Sequence, residues 1–506
     1  MTHPRTIASV WAAKGTAYAS RALRRGGGTA ASGLVGLTLQ PGLIAELASQ
    51  LGEGCVIVTG TNGKTTTSLL INNAARESGL DVLANASGSN LMRGVASTLA
   101  LAAGPDGRLL DPEQRLGVFE MDEAAMTVAL PHLKPRAVVF TNLFRDQLDR
   151  YGEVDAVASR WRAALARAPK DLHLVLNADD PSIALLGEGH DSGSLTYFGV
   201  EGKALGHDAP DHAADALTCL CGARLEYAVA FYGHVGHWRC PACKRKRPKP
   251  HIAARRLNLK DGRTATFELT LSALSPDPSP RGRGEPEEGT APSRNGANDV
   301  ENPLSVNGEG AGGGVSRVSL PLGGLYNVYN ALAAVACTTA LGIPQNSTLR
   351  ALESATAAFG RQEAFEVDGR RVELFLGKNP AGLNQVLQTL MLDPARKTAL
   401  FVLNDGIADG RDVSWVWDAD FEVAAGKLER VITSGTRAAE MALRLKYAEW
   451  PEPTLEVDPD IARALDRAIA LTPDGACLTI VPTYTAMLTV RELLAKRTGK
   501  QEFWRE

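Results

Sequence analysis

Thr59-Gly60-Thr61-Asn62-Gly63-Lys64-Thr65-Thr66-Thr67 stands between a short apolar run, GCVIVT (54–59), and a stretch with helical apolar spacing, TTTSLLINNAARES (65–78). That order predicts a strand, a glycine-rich loop and a helix. Glycines let backbone N–H groups close around phosphate oxygens, and the helix N-terminus adds partial positive charge. Lys64 is placed to reach the β- and γ-phosphates of a nucleotide, and the Thr65 hydroxyl to ligate Mg²⁺. Gly60, Thr61, Asn62, Gly63, Lys64, Thr65 and Thr66 are therefore the candidate nucleotide-binding residues. The spacing departs from GxxxxGK[ST], because Val58 occupies the first glycine position.

Outward from this loop, strands alternate with helices. Strands are expected at 115–122, 136–143, 173–177 and 264–271, and helices at 155–168 and 327–342. Such alternation indicates a parallel sheet wrapped by helices. Residues 275–316 hold almost no large apolar side chains and predict a disordered loop. A second α/β block begins near 360, with strands expected at 372–376, 398–404, 430–434 and 477–482. The expected domains are 1–355 and 356–506.

At 506 residues the chain is long enough for about three domains of ordinary size. Its net charge of -3 argues against a dedicated nucleic-acid binder, which needs a basic excess somewhere. KRKRPKPH (244–251) is the one local basic run, and such runs are more often solvated faces. No apolar stretch reaches the roughly 18 residues of a membrane span, so a soluble, cytoplasmic protein is expected. Arg21, Arg24 and Arg25 lie among Ala and Ser without the apolar core of a secretory signal, and an amphipathic helix of the mature protein is expected there.

The end of the strand at 115–122 brings Glu120, Asp122 and Glu123 to the carboxyl edge of a parallel sheet, where open α/β folds bind ligands. One carboxylate with nucleotide oxygens and water suffices for Mg²⁺; a solvated acidic turn is the plainer reading, above all for Asp122 and Glu123. Of the seven cysteines, Cys219-x-Cys221 and Cys240-x-x-Cys243 lie 18 residues apart, inside a Cys-, His- and Lys-rich insertion at 206–252. Four thiolates so spaced suit a closed tetrahedral Zn²⁺ site with a folding role. The CxC pair is tighter than usual, which leaves His237 as a substitute ligand. Cys55, Cys337 and Cys477 sit in apolar segments and read as buried small hydrophobes.

GTNGKTTT (60–67), LNADDP (176–181), GGLYNVYNALAA (323–334) and FGRQE (359–363) occur in an order that resembles the Mur ligase superfamily, which also includes folylpolyglutamate synthases. The resemblance implies an α/β fold: a Mur ligase-like central P-loop ATPase domain with a zinc-ribbon insertion, plus a C-terminal Rossmann-like α/β domain. It implies ATP and Mg²⁺ as cofactors beside structural Zn²⁺, Glu120 and Thr65 as Mg²⁺ ligands, Asn327 near the nucleotide, and Arg361 on a phosphate. Segment TNLFRDQLD (141–149) carries Gln147 where that superfamily has a metal-holding histidine, and a counterpart of its carbamylated lysine is missing.

The insertion, LGKNPAGLNQVL (376–387), LNDGIADGRDVSWVWDADFE (403–422) and PTYTAMLTVRELL (482–494) resemble one branch, the MurT-type ligase subunits. The branch implies ATP-dependent amidation of the D-glutamate α-carboxylate of the lipid II stem peptide, through an acyl phosphate, to D-isoglutamine. Ammonia would come from a GatD-type glutaminase in a heterodimer. Lys64, Glu120, Arg361 and Lys378 would serve the chemistry, with Asn379 beside Lys378 on a substrate carboxylate or phosphate. Asp412, among the acids Asp405, Asp409, Asp418 and Asp420, would complete the partner's Cys-His pair. Contact with the inner membrane face is expected only through the substrate. An autonomous amino-acid ligase and a non-catalytic ATP- and zinc-binding scaffold are the competing readings.

Overall fold

Cys55–Thr59 forms a fully buried strand, β1, in the interior of a nine-stranded sheet. The computed structural model describes residues 3–22, 29–85, 88–146, 154–212, 214–259, 262–272, 314–357, 360–393, 396–451 and 454–499. The other strands of the first half are β2 (Asp81–Ala84), β3 (Arg115–Glu120), β4 (Ala137–Phe140), β5 (His173–Asn177), β6 (Leu195–Val200), β7 (Glu226–Tyr232), β8 (Val235–Arg239), β9 (Ile252–Asn258), β10 (Ala265–Leu271) and β11 (Val315–Leu320). The large sheet has the order β11-β10-β9-β6-β5-β4-β1-β3-β2, and β7 with β8 makes a separate hairpin. Pairing is parallel from β2 to β9, and only β10 is antiparallel to its neighbours.

The order explains where a ligand belongs. After β1 the chain builds β2 and β3 on one side, then crosses to lay β4 on the other, so the carboxyl end of β1 is a topological switch point. Strands buried on both faces read as continuous apolar runs rather than alternations, as Val56, Ile57 and Val58 do. Helices Lys64–Glu77 and Leu325–Ala340 share one core with the sheet, and Met92–Ala102, Glu123–Leu133 and Val154–Leu165 share the other.

The second sheet comprises β12 (Arg361–Val367), β13 (Arg370–Phe375), β14 (Arg396–Val402), β15 (Arg430–Ser434), β16 (Leu455–Val457) and β17 (Cys477–Pro482), in the order β12-β13-β17-β14-β15-β16. All pairs are parallel except β12 with β13. Helices Pro380–Met391 and Ala438–Tyr447 cover one face, and Ile461–Leu471 with Tyr484–Thr498 covers the other. The Rossmann-like block expected near 360 is present.

One expectation changes. Of the loop expected at 275–316, residues 275–313 lie outside the described residues, and Val315 and Ser316 already belong to β11. Val318 and Leu320 are buried while Val315 and Arg317 are exposed, an alternation that a composition window blurs. Arg24 and Arg25 lie outside the described residues, and the helix expected near the N-terminus is present as Pro4–Ala22. It buries Thr6, Val10, Ala13 and Ala17 and packs with Thr29–Leu39 against Met92–Ala102. Among the described residues no helix is long and apolar enough to cross a membrane.

Gly33 makes that N-terminal packing possible, since a Cβ there would lie 1.7 Å from the Arg93 carbonyl oxygen. Gly33→Ala should therefore force the two helices apart and lower stability by about 1–3 kcal/mol, read as a reduced urea midpoint at unchanged slope.

Candidate active site

The loop after β1 is held by the loop after β4. The Asn62 N–H donates to Asn142 Oδ1 at 2.9 Å, and its carbonyl accepts from Thr141 Oγ1 at 2.8 Å and Asn142 Nδ2 at 3.0 Å. Thr61 Oγ1 donates to the Phe144 carbonyl at 3.0 Å. Val58 is paired within β1, so the chain turns later, at Gly60 (φ 130°), where a Cβ would strike Thr141 Oγ1 at 2.2 Å. Gly63 (φ 89°) caps the helix Lys64–Glu77, and a Cβ there would meet Asn330 Oδ1 at 2.0 Å. Glycine is needed at both positions for these approaches.

Thr61, Asn62, Gly63, Lys64, Thr65, Thr66, Glu120, Arg361 and Lys378 line one cleft of about 370 Å³ between the two sheets, within the size range of small-ligand sites. Lys64 Nζ donates to the carbonyls of Gly60 and Thr61 and lies 3.3 Å from Glu123 Oε1. Burial, the largest influence on Lys64, would lower its pKa, but Glu123, Asp146, Glu120 and Asp122 outweigh it and hold the ammonium above the ordinary lysine value. Glu123 is pushed up from the usual carboxylate range, by burial first and against the pull of Lys64.

Thr65 Oγ1 donates to Glu120 Oε2 at 2.8 Å. These two hard oxygen donors beside a phosphate loop fit Mg²⁺. Asp122 instead caps the helix Glu123–Leu133, accepting from the Ala124 N–H at 3.1 Å. Arg361 makes no ion pair among the described residues, and burial lowers its pKa. A half-buried guanidinium near Glu120 but with no direct carboxylate partner among the described residues is a natural seat for phosphate oxygens.

Lys378 Nζ reaches Asp146 Oδ2 at 2.6 Å, and Asn379 Nδ2 reaches Asp146 Oδ1 at 3.2 Å and Asn62 Oδ1 at 3.0 Å. This clasp joins the loops of the two sheets. Burial would raise the Asp146 pKa, but Lys378, then Lys64, draw it below the ordinary aspartate value.

Several expected residues stand elsewhere. Asn379 is fully buried and caps the helix Pro380–Met391, so it is a strut and not a substrate contact. Asn327 donates to the Gly323 carbonyl and Gln362 Oε1, and it is Asn330, three residues on, that faces Gly63. Gly60 lies behind the cleft wall, and Asp412 lies outside its lining. Gln147 falls outside the described residues. The cleft also holds Asn90 and Arg93, which lie in no segment that the sequence singles out, and Tyr326, Gln385 and Tyr484, which lie in the resembling segments 323–334, 376–387 and 482–494 but are not among the expected site residues.

The acids at 405–420 separate by their partners. Asp405 bonds Thr436, Asp409 bonds Thr485, Asp418 bonds Arg145, and Asp420 bonds His212 and Asn384. Asp412 is exposed, accepts from the Ser414 N–H at 2.8 Å, and has its pKa lowered by Ser414.

Cys219, Cys221, Cys240 and Cys243 converge, with all four Sγ atoms within 4.8 Å of one another. Cys219–Cys243 and Cys221–Cys240 are 3.5 Å apart at sulfur, far beyond a disulfide bond and close to the ~3.8 Å edge of a tetrahedron with 2.3 Å Zn–S bonds. The donor set fits zinc. His237 is not a ligand candidate here, because its Nε2 bonds the Val200 carbonyl at 2.9 Å and its ring meets Phe231 edge-on. Cys219, Cys240 and Trp238 pack on Ala184 and Leu185, and Trp238 Nε1 donates to the Ala178 carbonyl. The module thereby docks on the large sheet.

Residues 58–233 match the Mur ligase middle domain family, and residues 376–487 match the MurT ligase C-terminal family. The chain is 30% identical over 478 residues, 94% of each chain, to the lipid II isoglutaminyl synthase (glutamine-hydrolyzing) subunit MurT of Staphylococcus aureus (strain COL). It is 30% identical over 476 residues, again 94% of each, to the subunit of that name from Streptococcus pneumoniae (strain ATCC BAA-255 / R6). A solved structure of MurF from Acinetobacter baumannii shares the fold, with a TM-score of 0.61 at 18% identity, covering 93% of this chain and 81% of that one.

Asp146→Asn should cost about 3–5 kcal/mol, because it leaves the Lys378 ammonium uncompensated. The Asp146 pKa is lowered on folding, so the stabilisation is present above the ordinary aspartate value and disappears as pH falls through the lowered one. Denaturant melts at pH 7 and in acid should show the two proteins converging in acid. Elemental analysis of purified protein should find about one zinc per chain, and Cys240→Ser should lose it and lower the melting temperature.

Proposed function

Since this chain belongs to the MurT family of lipid II isoglutaminyl synthase subunits, we propose that it uses ATP to convert the D-glutamate α-carboxylate of the lipid II stem peptide to the primary amide. The observation that carries the reading is the convergence in one cleft of the phosphate loop from the first sheet with Arg361 and Lys378 from the second. We read residues 1–355 as the nucleotide-binding domain with its 206–252 zinc module, and 356–506 as the second domain.

The chemistry follows from the poor acyl-donor character of a carboxylate. A carboxylate oxygen attacks the γ-phosphorus, the bond to the bridging oxygen of ADP breaks, and an acyl phosphate forms. Ammonia then attacks the acyl carbon, the carbon–oxygen bond to phosphate breaks, and nitrogen loses a proton. Mg²⁺, held through Thr65 and Glu120, would neutralise phosphate charge. Lys64, already cationic and bonded only to loop carbonyls and Glu123, exchanges those partners for phosphate oxygens. Arg361 offers its unpaired guanidinium to the transferring group, and Lys378, fixed by Asp146, faces the substrate's anionic end. Alignment and charge neutralisation supply most of the catalysis in such transfers.

Ammonia has to come from a second chain. Burial pushes the thiols of Cys55 and Cys337 up to about 12, Cys477 is buried, and the other four cysteines form the zinc-type cluster. Cys243 is the thiol drawn down, to about 6 by Arg245, and as a member of that cluster it is committed there rather than to attack on glutamine. A GatD-type glutaminase supplies it in this reading, and Asp412, exposed and bonded to the Ser414 N–H, orients that partner's histidine.

With the partner glutaminase, glutamine and ATP, the protein should yield a stem peptide about 1 Da lighter per amidated carboxyl. Amidation with an added free amino acid instead of ammonia would reject the reading. Lys64→Ala should reduce amidation roughly 10²-fold or more; retention of full activity would point to a scaffold. Asp412→Asn should reduce glutamine-driven amidation by about 10²–10⁴-fold, while ammonium chloride restores it.

A further inference from the structure

The exposed side of the helix Pro4–Ala22 carries an uncharged stretch between Arg5 and Arg21. Ala8, Trp11, Gly15 and Tyr18 recur there at helical spacing, with Trp11 59% and Tyr18 77% exposed. The neighbouring helix Thr29–Leu39 adds Leu34 (57% exposed) and Leu39. Soluble surfaces seldom align large exposed apolar side chains on adjacent helices.

The charged side chains that the two helices themselves carry are all basic, with Glu46, bonded to Thr6, and the exposed Asp106, next to Pro105, as their acidic neighbours. No Asp or Glu precedes Glu46, although the whole chain has a net charge of -3. Arg5 and Arg21 are exposed near the two ends of the first helix, and Lys14 is drawn back to the Ala103 carbonyl. Trp11 Nε1 donates to the Pro105 carbonyl at 3.1 Å. Its one polar atom is thus satisfied within the protein, and the exposed ring enters an apolar layer without stranding a donor.

The buried side of the second helix leads towards the active cleft. The second helix packs onto Met92–Ala102 so closely that Gly33 abuts the Arg93 carbonyl, and Leu91 and Arg93 line the cleft.

We propose that the paired helices Pro4–Ala22 and Thr29–Leu39 dock on an anionic lipid bilayer, with Trp11, Tyr18 and Leu34 entering the head-group layer and Arg5 and Arg21 meeting lipid phosphates. Interfacial aromatic residues flanked by exposed basic side chains are the combination that such a surface recognises. The cleft mouth is then held at the membrane, where a lipid-linked stem peptide resides. This last step rests on the function proposed above, whereas the docking itself does not. It adds a direct membrane contact to the substrate-only contact that the sequence implied.

The test is sedimentation of the full chain with phosphatidylglycerol-containing vesicles and with pure phosphatidylcholine vesicles, without ATP, glutamine or lipid II. Binding should favour the anionic vesicles, weaken with salt, and fall about tenfold or more in Arg5→Glu/Arg21→Glu and in Trp11→Ala/Tyr18→Ala. Both variants should keep their melting temperature and, with the glutaminase, their amidation of a water-soluble stem peptide. Activity on vesicle-embedded substrate should fall. Equal binding to both vesicle types, no binding, or binding indifferent to these substitutions overturns the proposal. So does protection of Trp11 by the glutaminase or by a second copy of the chain. Failed amidation with intact vesicle binding would instead overturn the proposed function alone.

Discussion

The Asp146 clasp with Lys378 and Asn379 is the contact on which the site depends. It ties the loop after β4 to the loop after β13, and Asn379 passes the constraint on to Asn62 in the phosphate loop. Each sheet alone holds half of the required charge. The first supplies Lys64, Thr65 and Glu120, and the second supplies Arg361 and Lys378. Buried charges of both signs are tolerated because they neutralise one another across the cleft, where loss of either partner exposes the full desolvation penalty.

The same economy governs the loop itself. Thr141 and Asn142 take up the polar groups of Thr61 and Asn62, which leaves the N–H groups at the start of the helix Lys64–Glu77 as the donors aimed into the cleft. Preorganised dipoles of this kind need no reordering when phosphate charge arrives. The cysteine module stands apart from this chemistry. Its Trp238 and sulfur cluster pack beneath β5 and β6, so it stiffens the wall that carries the site and contributes no side chain to the nucleotide end. Tyr232, at the end of its hairpin, is the point where it touches the cleft.

Much of the site was legible wherever chemistry and local backbone coincide. The glycines, Lys64 and Thr65 form one contiguous motif whose geometry is set by strand, turn and helix alone. Arg361, Lys378 and Glu120 were legible by resemblance and do meet in the cleft. Asn327 and Asn379 were misjudged for one reason. Both stand one contact behind the surface, and a buried asparagine that braces a loop carries the same letter as one that binds a ligand. Asp146, the centre of the clasp, went unremarked because its partners are more than 200 residues away.

The amino-acid sequence by itself determined the two α/β blocks, the phosphate loop, the fourfold cysteine set and the acidic run, because each depends on spacing between near neighbours along the chain. Only the tertiary structure decided which partner each acid of 405–420 has, that His237 is occupied by the Val200 carbonyl, and that the helix Thr29–Leu39 packs against the start of Met92–Ala102. Those outcomes depend on which distant groups arrive to satisfy a side chain, and burial and hydrogen bonding assign such partners only after the sheets have packed.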